Sequence, residues 1–134
     1  MATNIFVNLP VQDLNKSIEF FTKLGYTFNA QFTDEHATCM IISDTIYAML
    51  LTKAKFKDFT KKEIADAKKT TEVLIALSTD NKEKVNELVD KAIAAGGKEP
   101  NDAQDHGFMF TRSFEDPDGH IWEIFWMDPN FVQK

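Results

Sequence analysis

The chain has 134 residues, 43% of them hydrophobic and 27% charged, with a formal net charge of −6. That length suits one domain, or two fused half-size modules around a core, and the apolar share excludes a disordered or fibrous chain. An acidic surface repels phosphate backbones, which argues against general nucleic-acid binding.

The single cysteine, Cys39, cannot form an internal disulfide, so nothing asks for an oxidising compartment. The stretch Met1 to Pro10 has no basic region followed by an apolar run, and no segment approaches the roughly 18 apolar residues of a membrane span. The chain reads as cytoplasmic, without a membrane or nucleic-acid partner. Twelve phenylalanines stand against two tyrosines. Such usage fits either a dry core or an apolar cavity.

Ile5 to Val11 alternates and is rich in branched residues, which predicts a strand. Asp13 follows as a helix N-cap, with Leu14, Ile18, Phe21 and Leu24 at helical spacing and Gly25 at the C-cap. Three strand-like runs come next, Tyr26 to Phe32, Ala37 to Ile42 and Ile46 to Leu51, with turns at Asp34-Glu35 and Ser43-Asp44. The segment Phe56 to Lys69 is charged. Thr60 with Glu63 has the capping-box spacing and Phe59 with Ile64 that of a hydrophobic staple. A helical linker over residues 55–70 is expected there, with a lid over a site as the alternative.

The pattern then restarts. Glu72 to Ser78 predicts a strand, and Asp80 or Asn81 the next N-cap. A helix carries Val85, Leu88, Val89 and Ala92 on one face and ends at Gly96-Gly97. After a polar stretch come a strand Phe108 to Phe114, the turn Asp116-Pro117-Asp118-Gly119 and a last strand His120 to Met127. Setting Phe6 to Leu9 against Leu74 to Leu77 gives an offset of about 68 residues, half the chain, as one duplicated module would. Residues 1–54 form the first β-α-β-β-β module and residues 71–128 the second, within a single domain spanning 1–134.

Local text fits the same picture. Val11-Gln12-Asp13-Leu14-Asn15-Lys16-Ser17-Ile18-Glu19-Phe20-Phe21, ending at Leu24-Gly25, resembles the opening V-x-D-L-x-x-S-x-x-F-Y … L-G of the vicinal oxygen chelate superfamily, which holds glyoxalase I, bleomycin-resistance proteins and extradiol dioxygenases. Phe114-Glu115-Asp116-Pro117-Asp118-Gly119-His120-Ile121-Trp122-Glu123 resembles its closing F-x-D-P-D-G-x-x-x-E. The resemblance covers nearly the whole chain. It implies an α+β fold in which two tandem βαβββ modules curl into an open cup-shaped mixed sheet, and a homodimer, because small members complete their cups across a two-fold axis. The large apolar residues of Ile121 to Met127 point the same way, being unsuited to a solvated edge strand.

Metal-dependent members place ligands on the first and last strands of each module. Carried over, those positions fall on Phe6, Leu50 (within one residue), Leu74 and Glu123. Three are apolar. A divalent ion needs about three to six oxygen, nitrogen or sulfur donors, so no metal and no other cofactor is expected at the family position. His36, His106 and His120 form no His-x-x-x-His pair, and Cys39 beside Met40 reads as core. The resemblance implies that Phe6, Asn8, Leu50, Leu74 and Ala76 face the cup, an apolar pocket with one amide.

Glu123 shares its strand face with Ile121 and Phe125. A carboxylate there could act as acid, base or ligand anchor, or be a buried structural group satisfied by backbone amides or Arg112. Arg112 is the only arginine among fifteen basic residues. It shares a face with Phe108, Phe110 and Phe114, and could clamp an anionic ligand or snorkel from the strand end. Three readings follow. The first is a bleomycin-resistance-like protein that binds a small apolar or aromatic molecule without metal. The second is a lactoylglutathione lyase-like or related enzyme using a non-standard metal site or Glu123 as acid or base. The third is a non-catalytic interaction module.

Overall fold

Within residues 3–131, which the computed structural model describes, the chain runs through one series of elements twice. It does so in two units, Met1–Asp66 and Ala67–Lys134, each with its own four-stranded mixed sheet and long helix.

The first unit contains β1 (Ile5–Val11), α1 (Leu14–Leu24), β2 (Thr27–Asn29), β3 (Ala37–Ile41) and β4 (Ile46–Thr52), with strand order β1-β4-β3-β2. β1 runs parallel to β4 and the other pairs are antiparallel. α1 begins where the Asp13 side chain accepts a hydrogen bond from the Lys16 amide at 3.1 Å, satisfying one of the orphan donors of the first turn. It ends at Gly25, whose φ of 105° only glycine adopts without strain. Leu14, Phe20, Phe21 and Leu24 are buried on one face of the helix. The strand expected over Tyr26 to Phe32 stops at Asn29, because the Asn29 side chain accepts from the Gln31 amide and turns the chain into a 3-10 turn at Ala30–Phe32.

The helical linker expected over residues 55–70 does not form. After β4 comes one short helix, α2 (Lys53–Phe56), and a 3-10 turn at Lys57–Phe59, and then no helix until the second unit's own. The Thr60 hydroxyl accepts from the Lys62 amide, two residues on. A capping box needs the amide three residues on, so the Thr60–Glu63 spacing matched without its geometry.

The second unit contains β5 (Leu74–Ser78), α3 (Lys82–Ala94), β6 (Gln104–Asp105), β7 (Met109–Glu115) and β8 (Ile121–Met127), ordered β5-β8-β7-β6. Asn81, not Asp80, caps α3, accepting from the Lys84 amide at 2.9 Å. Val85, Val89 and Ala92 are fully buried on its inner face. β8 lies between β5 and β7, inside its sheet. Its large apolar residues are therefore explained by burial within the unit, and the edge-strand argument for a dimer falls away.

The turn joining β7 to β8 is built on a buried carboxylate. Asp116 accepts from the amides of Asp118 and His120 at 2.9 and 3.1 Å and from the Trp122 indole nitrogen at 3.1 Å. Burial pushes its carboxyl above the usual range, and the Trp122 and Asp118 donors pull against that shift. Gly119 closes the turn at φ 88°, and a Cβ placed there would lie 2.9 Å from backbone atoms of Ala67 and Lys68.

Two stability predictions follow from this packing. Gly25 has positive φ and open space around a Cβ, whereas Gly119 has positive φ and a backbone neighbour. In urea unfolding, Gly25→Ala should cost about 1–2 kcal/mol and Gly119→Ala at least about 1 kcal/mol more. Equal costs would show that the Ala67–Lys68 segment yields freely. The second concerns Tyr26, whose ring meets Phe21 edge-on at 6.1 Å and whose phenol burial pushes up to about 12. The unfolded phenol ionises near its ordinary value of about 10 while the folded one keeps its proton. Stability is thus intact below pH 10 and is lost as pH rises towards 12, by about 1.4 kcal/mol at pH 11. Unfolding at pH 9 and 11 should show this loss in the native chain relative to Tyr26→Phe, and parallel losses in both would contradict it.

Candidate functional site

Strand register decides which side chains can meet, because successive residues point to opposite faces. In the first unit Phe6 lies beside Tyr47, Asn8 beside Met49 and Leu9 beside Leu50. Phe6, Asn8, Tyr47 and Met49 therefore share one face. The Phe6 and Tyr47 rings stack there with centroids 4.7 Å apart, and Phe6 keeps 48% of its surface exposed. Leu50 belongs to the other face with Leu9 and Ala48, and it is fully buried. Its expected place on the face of Phe6 is corrected: Met49 stands there, since a shift of one residue along a strand reverses the face. The Asn8 side-chain amide donates to the carbonyl of Phe6 at 3.2 Å.

In the second unit Ala76 and Ser113 flank Glu123 on β5 and β7, Leu74 lies beside Ile121, and Ser78 and Thr111 flank Phe125. Leu74, Ala76, Glu123 and Phe125 thus share a face, as the sequence suggested. Trp122 and Ile124 occupy the opposite face, toward α3, and are almost wholly buried. Glu123 is partly exposed, and among the described residues its carboxylate takes part in no hydrogen bond or ion pair.

Arg112 lies beside Ile124 and so projects to the α3 face, away from Glu123. Its Nε and Nη2 donate to the two Glu99 carboxylate oxygens at 2.9 and 3.1 Å, and its Nη1 to Asn86 and Asp90 at 3.0 and 2.9 Å. Glu99 above all, then Asp90, hold the guanidinium above its ordinary value against the cost of burial. Both expected roles, a clamp for an anionic ligand in the cup and a partner for Glu123, are corrected. A cleft of about 440 Å³ opens beside Glu99, Asp102 and Arg112, but the guanidinium's donors are already engaged.

The donor set does not fit the metal that the fold family implies. Glu123 has leucine, alanine, serine and phenylalanine around it on its face, with Glu115 two residues beyond Ser113 on β7, and the corresponding face of the first unit carries phenylalanine, asparagine, tyrosine and methionine. Among the described residues, no three His, Cys, Asp or Glu side chains come together as a metal would require.

The family model of the Glyoxalase/Bleomycin resistance protein/Dioxygenase superfamily matches residues 5–124, and the chain belongs to that superfamily. Solved structures share the fold. Hypothetical protein SA1046 from S. aureus is 27% identical with a TM-score of 0.78, covering 94% of this chain and 95% of that one. A glyoxalase-related enzyme from Fulvimarina pelagi is 19% identical with a TM-score of 0.79, covering 94% and 88%. The fosfomycin resistance protein FosX from Listeria monocytogenes is 17% identical with a TM-score of 0.67, covering 94% and 93%. No curated protein matches the chain.

Nothing in the sequence signals the Arg112 cluster, because Asn86, Asp90 and Glu99 are distant in the chain and lie among many other polar and acidic residues. Replacing Arg112 by leucine should cost about 2 kcal/mol in urea unfolding, since it removes charge-assisted bonds and leaves Glu99 partly buried without its partner. A change within about 0.5 kcal/mol would mean that these pairs behave as ordinary surface salt bridges.

Proposed function

We propose that this is a glyoxalase/bleomycin-resistance-like protein that works without a metal and binds a small apolar or aromatic molecule on the sheet face bearing Glu123. The observation that carries this reading is the Glu123 carboxylate, which lies near Leu74, Ala76, Ile121 and Phe125 and has no partner among the described residues. A carboxylate half-withdrawn from water with no protein donor is poorly placed for stability and well placed for a ligand. On the first unit, Phe6, Tyr47 and Met49 supply a second apolar, aromatic surface of the same kind. The lone buried thiol of Cys39 suits the cytoplasm, and the acidic chain suits a small-molecule partner in place of nucleic acid. The protein acts as a homodimer on this reading, as the family resemblance of its sequence implies.

Native mass spectrometry of the purified protein tests metal and assembly together. The expected species is twice the 15.3 kDa chain with no metal adduct, with no turnover of methylglyoxal-glutathione hemithioacetal. A stoichiometric zinc, nickel, iron or manganese ion that Glu123→Gln removes would overturn the metal-free reading. A 15.3 kDa species at micromolar concentration would overturn the dimer.

A further inference from the structure

The charges on the sheet face around Glu123 define the class of molecule it can hold. On this face β5 presents Leu74, Ala76 and Ser78, β8 presents Ile121, Glu123, Phe125 and Met127, and β7 presents Met109, Thr111, Ser113 and Glu115. None of these is a lysine, arginine or histidine. Lys98 pairs through its backbone with Glu115 at the outer side of β7, two strands away from Glu123 on β8 and next to a carboxylate of its own. Arg112, the nearest guanidinium in the strand, is directed to α3 and bonded to Glu99, Asp90 and Asn86. The chain as a whole carries a net charge of −6, so the long-range field also favours cations.

A ligand carrying a carboxylate or phosphate would find no counter-charge here and would meet Glu123 as a like charge. A neutral ligand would leave the carboxylate half-desolvated without a charged partner. A protonated amine or amidine on an apolar body matches every feature. Its N–H groups donate to Glu123, the bond is charge-assisted, and its apolar part lies on Leu74, Ala76 and Ile121, with the Phe125 ring available to the cation's edge.

Resting on the binding reading above, we propose that the ligand is a small hydrophobic organic cation, a protonated amine or amidine with an aromatic or alicyclic body, whose charged nitrogen is held by Glu123.

The test uses the full-length protein and matched probes in phenyl, naphthyl and cyclohexyl series, each as the two-carbon amine, the corresponding alcohol and the corresponding propanoate. Titrations followed by protein-observed NMR at pH 7 give the dissociation constants. The amines should bind at least about tenfold more tightly than their alcohols and the propanoates most weakly, with the preference shrinking as salt is added. Glu123→Gln, nearly isosteric, should remove the preference for the amine while leaving alcohol binding within about twofold. Its melting temperature should match the native chain, which separates loss of recognition from loss of fold. Equal binding of amine and alcohol would overturn the charge assignment and leave the apolar-ligand reading standing. Absence of binding in all three series would overturn both. Preference for the propanoates would overturn the assignment and move recognition to a cation elsewhere.

Discussion

The Asp116 carboxylate is the constraint on which the second unit's chemistry depends. It sits at 6% exposure and gathers two backbone amides and the Trp122 indole across the turn from β7 to β8. Desolvating a carboxylate is costly unless its lone pairs are filled, and three donors from the following six residues fill them only in one turn geometry. That geometry fixes where β8 begins. With Trp122 drawn beneath the turn and Phe114 stacked parallel to it at 6.3 Å, the alternation along β8 has no freedom left. Trp122 and Ile124 go to the α3 side, and Glu123 must take the other. The side of the sheet on which Glu123 lies is thus a consequence of a bond made seven residues earlier. Gly119 belongs to the same device, because only a residue without a Cβ lets the turn lie against Ala67 and Lys68.

The parts of this structure legible in the sequence are those written in local chemistry. Asp13 and Gly25 bound α1, Asn81 starts α3, and Asp116 to Gly119 make their turn, each through contacts within a few residues. The duplicated element order follows from them. What the sequence left open depends on partners far along the chain. Leu50 and Met49 are both apolar, and only the pairing of β4 with β1 says which one shares the face of Phe6. Alternation along β7 groups Arg112 with Phe110 and Phe114, yet nothing local says that this face meets Asp90 of α3 and Glu99. The stretch 56–69 shows the converse failure. It has two spacings that accompany helix starts, but no apolar stripe of helical period to bury, and a capping pattern without a packed face does not hold a helix.

The two faces of the second unit's sheet treat charge in opposite ways. On the α3 side, Arg112 is compensated by two carboxylates and an amide, an arrangement in which each group covers the desolvation of the other. On the other side Glu123 stands beside Ala76 and Ser113, with Glu115 two residues beyond Ser113 on β7 and no arginine on that face. Sequences that fold well are consistent across levels, and departures concentrate where function is housed. The same unit can satisfy an arginine with three partners, so the lack of a partner for Glu123 among the described residues is not a limit of the scaffold.

On the metal-free reading proposed above, the apolar residues around Glu123 and the carboxylate itself have a common physical sense. With a divalent ion the carboxylate would be one of several ligands, and its charge would be neutralised at the centre of the site. On the metal-free reading, with Leu74 and Ala76 on the neighbouring strand, no ion neutralises it. The second unit's face is then, on that reading, a largely apolar surface whose fixed charges, Glu123 and Glu115, are both negative. Such a surface discriminates by the sign of the ligand's charge and by its apolar area, two properties that need no ordered water or metal to be read. Recognition of this kind is tolerant of ligand shape, because apolar contact is non-directional, and strict about charge, because the carboxylate has no alternative counter-ion on its face.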